Sequence, residues 1–129
     1  MEKFIPVFAF AYLFLIAESL NAQTKEKDVT IIELTQTEGA FQTEELKLKP
    51  GKYQFRVVNK NVNKDLGFVI QRERDKNLDV MKTAVANSFT SSYVKEGEAQ
   101  YTGIIELKKG TYFYSCPLNP TPHYRLLVE

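Results

Sequence analysis

The feature that most constrains the fold of this chain is a side-chain alternation of period two. Tyr53, Phe55 and Val57 alternate with Lys52, Gln54 and Arg56, directly after the turn signal Pro50-Gly51. A run of this kind separates into one apolar and one polar face only when the backbone is extended, so it predicts a strand buried on one side. Similar short runs recur. Val29, Ile31, Ile32 and Leu34 predict a first strand, and Leu46 and Leu48 alternate with Lys47 and Lys49. Gly67-Phe68-Val69-Ile70 starts another strand, followed by Gln100 to Leu107, Tyr112 to Cys116, and His123 or Tyr124 to Val128. Strands at roughly ten-residue spacing, separated by Gly and Pro turns such as Lys108-Lys109-Gly110, predict an antiparallel sandwich or barrel. Seven Tyr and nine Phe without Trp suit an aromatic-rich β core. The stretch Gln36 to Glu45, polar with Gly39 and with Phe41 its one large apolar residue, reads as a loop or bend, and Asn59 to Asp65 as a polar loop.

The first residues read as a processing signal. Met1-Glu2-Lys3 precede an uncharged apolar run, Phe4 to Ala17, closed by small and polar residues ending at Asn21-Ala22-Gln23. That is the pattern of a secretory signal peptide. The run is short of the roughly 20 apolar residues that cross a bilayer. Residues 1–22 are therefore expected to be a signal peptide and residues 23–129 a single domain, periplasmic or secreted, with no stable membrane span after cleavage. The only cysteine lies far downstream, so none stands beside the signal to carry a lipid. Without Glu2, Lys3 and Glu18 the chain carries 16 basic and 14 acidic residues, a net charge of +2. That dispersed balance excludes the clustered basic face of a nucleic-acid binder.

One segment departs from the β pattern. Leu78, Met81, Val85 and Phe89 recur at helical spacing and predict an amphipathic helix across Asn77 to Phe89, with Asp75 or Asn77 as N-cap. Its stripe either covers the sandwich or receives a partner.

The chemistry concentrates near the C-terminus. In Gly110-Thr111-Tyr112-Phe113-Tyr114-Ser115-Cys116, Tyr112, Tyr114 and Cys116 share one strand face. Pro117, Pro120 and Pro122 then stiffen the loop that carries His123. A thiolate and an imidazole on a rigid loop are ligands of the kind that select copper or zinc. The competing assignments are a buried Cys116 acting as a small hydrophobe and a loop His123 bonded to backbone. A lone exported cysteine also raises intermolecular disulfide pairing. A Cys–His nucleophile would need an orienting group and an oxyanion site, and nothing in the Pro-rich loop suggests an oxyanion donor set, so an enzyme is not expected. The acidic groups Glu44-Glu45, Glu73 with Asp75, and Glu96 with Glu98 lie in polar contexts and read as solvated.

On Gly110, Tyr112, Tyr114 and Cys116, on a last strand with Leu126 and Val128, and on the earlier Pro50-Gly51-Lys52-Tyr53 segment, Asn59 and the Gly67-Phe68-Val69-Ile70 segment, the chain resembles the cupredoxins, the small blue-copper proteins. The resemblance spans most of residues 29–129. It implies an all-β, cupredoxin-like Greek-key β-sandwich with one short helix. It also implies copper handling or a redox role, with Cys116 and His123 as metal ligands and Tyr112 and Tyr114 packed around them. The ligand set is incomplete, because Leu66 falls at the place of the family's first His and the whole chain has a single His. Two functions follow. The chain handles copper through a degenerate Cys/His site, alone or with an envelope or redox protein partner. Alternatively, it is a metal-free envelope domain without a cofactor, whose loops or Leu78–Phe89 segment bind a partner.

Overall fold

The structure is a computed structural model that describes residues 28–129. The expected signal peptide lies outside the described residues. Nine strands form two sheets: β1 (Val29–Thr37), β2 (Ala40–Phe41), β3 (Glu45–Leu48), β4 (Gly51–Asn59), β5 (Val69–Arg72), β6 (Ala99–Tyr101), β7 (Ile105–Leu107), β8 (Gly110–Ser115) and β9 (Tyr124–Val128). The first sheet runs β2-β1-β4-β6, with β7 also paired to β4, and the second runs β3-β9-β8-β5.

The alternation of β4 does what its sequence dictates. Tyr53, Phe55 and Val57 are buried, while Lys52, Gln54 and Arg56 face outward. The sandwich is not the wholly antiparallel one expected: β4 pairs in parallel with β1 through Val29↔Lys52 to Gln36↔Asn59, and β3 pairs in parallel with β9. On its other side β4 pairs first with β7 and then, further along, with β6. The strand expected over Gln100 to Leu107 is therefore broken in two. Thr102 fills the break, donating its N–H to Phe55 O (2.9 Å) and accepting the Phe55 N–H at its hydroxyl (3.0 Å).

Two further expectations change. The stretch from Gln36 is not a plain loop, because β1 continues through Thr37 and turns back into β2. Gly39 makes that reversal at φ +71°, a conformation that favours glycine. Phe41 is thereby carried into the interior, where its ring meets Tyr114 edge-on at 5.1 Å and Tyr124 at 5.5 Å.

The second change concerns the expected helix. Only α1 (Val80–Thr83) forms, with Asp79 as N-cap through a 2.9 Å bond from Met81 N–H. Beyond it the chain is drawn flat against β5. Val85 N–H donates to Ile70 O (2.8 Å), and Ala84 bridges to Gln71. Val85 is buried, but Leu78, Met81 and Phe89 are exposed, so the stripe does not line one buried face. Among the described residues no helix is long and apolar enough to cross a membrane.

Candidate functional site at the Cys116 end of the sandwich

β8 delivers the candidate residues as its alternation requires. Tyr112, Tyr114 and Cys116 are all buried on the inward face. The two tyrosines direct their hydroxyls to other parts of the chain. Tyr112 donates to Lys108 O (2.9 Å), and Tyr114 to Thr43 O (2.6 Å). Burial pushes the Tyr114 phenol well above its ordinary range, and the nearby Tyr124, Glu45 and Glu44 charges act in the same direction. Tyr114 is thus a neutral hydroxyl that ties β8 to the segment before β3.

Cys116 lies just past β8, 3% exposed. Its sulfur accepts two backbone N–H groups, from Gly67 at 3.3 Å and from Asn119 at 3.2 Å. Its own N–H donates to the Thr121 hydroxyl (3.1 Å), which closes the start of the proline loop.

Around the sulfur the interior is closed by two amide side chains, both with no exposed surface. Gln36 donates its amide to Gly67 O (2.7 Å). Asn119 donates to Gln36 Oε1 (3.2 Å) and to Thr37 O (3.0 Å), and its Oδ1 accepts the Gly39 N–H (2.9 Å). The bonds form a ring from Cys116 Sγ through Gly67, Gln36 and Asn119 back to the sulfur. Every polar atom of the two amides has a partner, which buried amides require to avoid an unpaired-group penalty.

Asn59 brings Gly67 into place. Its amide donates to Val62 O, Lys64 O and Val94 O and accepts the Val62 N–H (2.9 Å), winding the 60–65 loop tightly. Leu66, at the end of that loop, is fully buried and bridges Val94 through two backbone bonds of 3.0 and 2.9 Å.

His123 lies elsewhere. Tyr124 pairs with Tyr114 and stacks on its inward ring at 5.5 Å, so its predecessor His123 faces the other way. The His123 ring is exposed and sits edge-on to Phe113 (6.4 Å), on the outer face of β8. Lys76 Nζ stands 4.4 Å from the centre of the same Phe113 ring. The structure therefore places Cys116 inside the sandwich and His123 outside the sheet, and does not bring them together.

Two residues of the site were not legible as such, Gln36 and Asn119, whereas Asn59 belongs to the segments that carry the cupredoxin resemblance. A signal for Gln36 exists in the parity of β1, because Ile32 and Leu34 point inward and Gln36 continues their series.

No family model and no curated protein matches the sequence. Solved structures do. Auracyanin B aligns with a TM-score of 0.60 at 18% identity, over 78% of this chain and 88% of that one. Auracyanin A, a "blue" copper protein from Chloroflexus aurantiacus, aligns at 0.56 and 18%, over 78% and 99%. Dithionite-reduced auracyanin from Roseiflexus castenholzii aligns at 0.55 and 14%, over 78% and 97%. The fold is thus that of the cupredoxins. A blue-copper centre takes two imidazoles and one thiolate in a trigonal set. This chain has one His, on the outer face, with aliphatic Leu66 and fully bonded Asn119 flanking the sulfur region. Its residues do not fit that set.

Proposed function

We propose that this chain is an exported binding domain of the cell envelope that keeps the cupredoxin sandwich and closes the metal position with its own amides. The observation that carries the reading is the closed ring of bonds from Cys116 Sγ through Gly67, Gln36 and Asn119. A metal centre needs ligand atoms with free lone pairs converging on one point. Here the Asn119 oxygen accepts the Gly39 N–H, the Gln36 oxygen accepts the Asn119 amide, and the two amides are oriented toward each other instead of converging on one point. Fold likeness to copper proteins does not carry function by itself.

A second reading has one observation in its favour. Both bonds to Cys116 use sulfur as the acceptor, the polarity that a metal-bound thiolate also has. In that reading copper is held by Cys116, and His123 joins it only after the proline loop rearranges.

A copper titration separates the two. The domain from Gln23 onward contains every described element and is titrated with Cu(II), followed by visible absorption, and with Cu(I), followed by competition with a chelator. Cys116→Ala and His123→Ala are run alongside. The proposed reading predicts no binding above that of the variants. Tight one-to-one binding lost in both variants establishes the second reading.

A further inference from the structure

Beside the sulfur ring, the surface carries a trough of about 550 Å³ whose floor is Gly67 and whose walls include Met81, Phe89, Tyr93, Pro117 and Leu118. Leu118 lies across Gly67, its Cδ1 3.7 Å from where a Cβ would stand, so a side chain at 67 would begin to fill the floor. Of the eight large exposed apolar side chains among the described residues, four line this trough: Met81, Phe89, Tyr93 and Leu118. We infer that this trough is a binding site for an uncharged, mostly apolar small molecule with a polar edge, an inference that rests on the domain being a binding module.

Three features select that class. The volume lies within the range of small-molecule sites, roughly 300–1,000 Å³. None of the residues bounding the trough is ionisable at neutral pH, so an ionic ligand would lose its hydration without gaining a counter-charge. One wall carries three consecutive hydroxyl residues, Thr90, Ser91 and Ser92, a polar edge for a neutral polar group, with the Ser91 hydroxyl donating to Gln100 Oε1 (3.3 Å) and left as an acceptor. The Asp65–Lys95 ion pair (3.7 Å), two positions along the chain from Gly67 and from Tyr93, cancels its own charge. The helix stripe that fails to bury explains where the apolar walls come from. Met81 and Phe89 are left outside because the segment is held flat on β5.

The test uses Nile red, a neutral dye whose emission shifts to the blue in apolar surroundings, with the domain from Gln23 onward. The site predicts saturable one-to-one binding, weakened at least tenfold by Leu118→Glu and by Met81→Glu. Ile31→Glu, on the outer face of the first sheet, leaves it unchanged. Octyl glucoside displaces the dye and octanoate does not. Absence of saturable binding, equal binding in the Leu118 and Met81 variants, or equal displacement by octanoate overturns the inference. So does a concentration-dependent dimer that excludes the dye, because the patch is then a protein interface. These outcomes are independent of the copper titration, which bears on the metal-free reading alone.

Discussion

The side-chain amides of Gln36 and Asn119 meet at 3.2 Å in the interior, although 83 residues separate them in the chain. One comes from the end of β1 and the other from the proline loop after β8. Between them they bind Gly67 O, Thr37 O and Gly39 N–H, so four segments are fastened at one point. Cys116 Sγ joins the same point through the Gly67 and Asn119 N–H groups.

Asn119→Ala strands the buried Gln36 Oε1 and removes the partner of the half-buried Thr37 O and Gly39 N–H. Each buried group left without a partner costs about 1–3 kcal/mol. Because loosened neighbours recover part of this, the expected loss is about 3 kcal/mol, measured by urea unfolding. Gln36→Leu loses a similar amount. The double variant Gln36→Leu/Asn119→Ala is less destabilised than the sum of the two single variants, with a coupling above about 1 kcal/mol, as expected for residues in one network.

Tyr114 gives the fold an alkaline limit. Its phenol is held neutral by burial, so its folded-state pKa is raised above the unfolded value of about 10. A raised pKa means that the unfolded chain releases the proton first. The contribution is therefore complete below about pH 10 and falls as pH rises beyond it. Unfolding free energies measured from pH 8 to 11 are expected to stay level and then decline. Tyr114→Phe, though less stable at pH 8 through loss of the bond to Thr43, declines less steeply.

Gln71 anchors the segment that replaces the expected long helix. Its amide donates to Asp75 O (3.0 Å), Leu78 O (3.2 Å) and Thr83 Oγ1 (2.8 Å), while its own Oε1 is buried without a partner. Gln71→Leu keeps the volume and removes all three bonds. Hydrogen exchange is expected to accelerate in residues 76–84, while the β8 and β9 amides keep their protection.

How much of this was readable from residue order follows from the type of interaction. Strand alternation is local, so the buried faces of β4 and β8, with Tyr53, Phe55, Val57, Tyr112, Tyr114 and Cys116, follow from the sequence itself. The helix across Asn77 to Phe89 was misjudged because its spacing is compatible with a stripe. Its backbone is instead claimed by Gln71 and Ile70, partners that lie before it in the chain. Asn119 stayed hidden for the same reason. An amide between prolines reads as a solvated loop until β1 is placed against it. The likeness to copper proteins was visible at Gly110–Cys116, whereas the separation of Cys116 and His123 depends on which face of β8 each adopts.

The most direct test of the closed metal position follows the amide signals around the sulfur by nuclear magnetic resonance while one equivalent of Cu(I) is added under reducing conditions. The account predicts that the Gly67 and Asn119 N–H signals, and the side-chain amide signals of Gln36 and Asn119, stay where they are. A joint shift of the Gly67 and Asn119 N–H signals, lost in Cys116→Ala, would contradict it and place a metal on that sulfur.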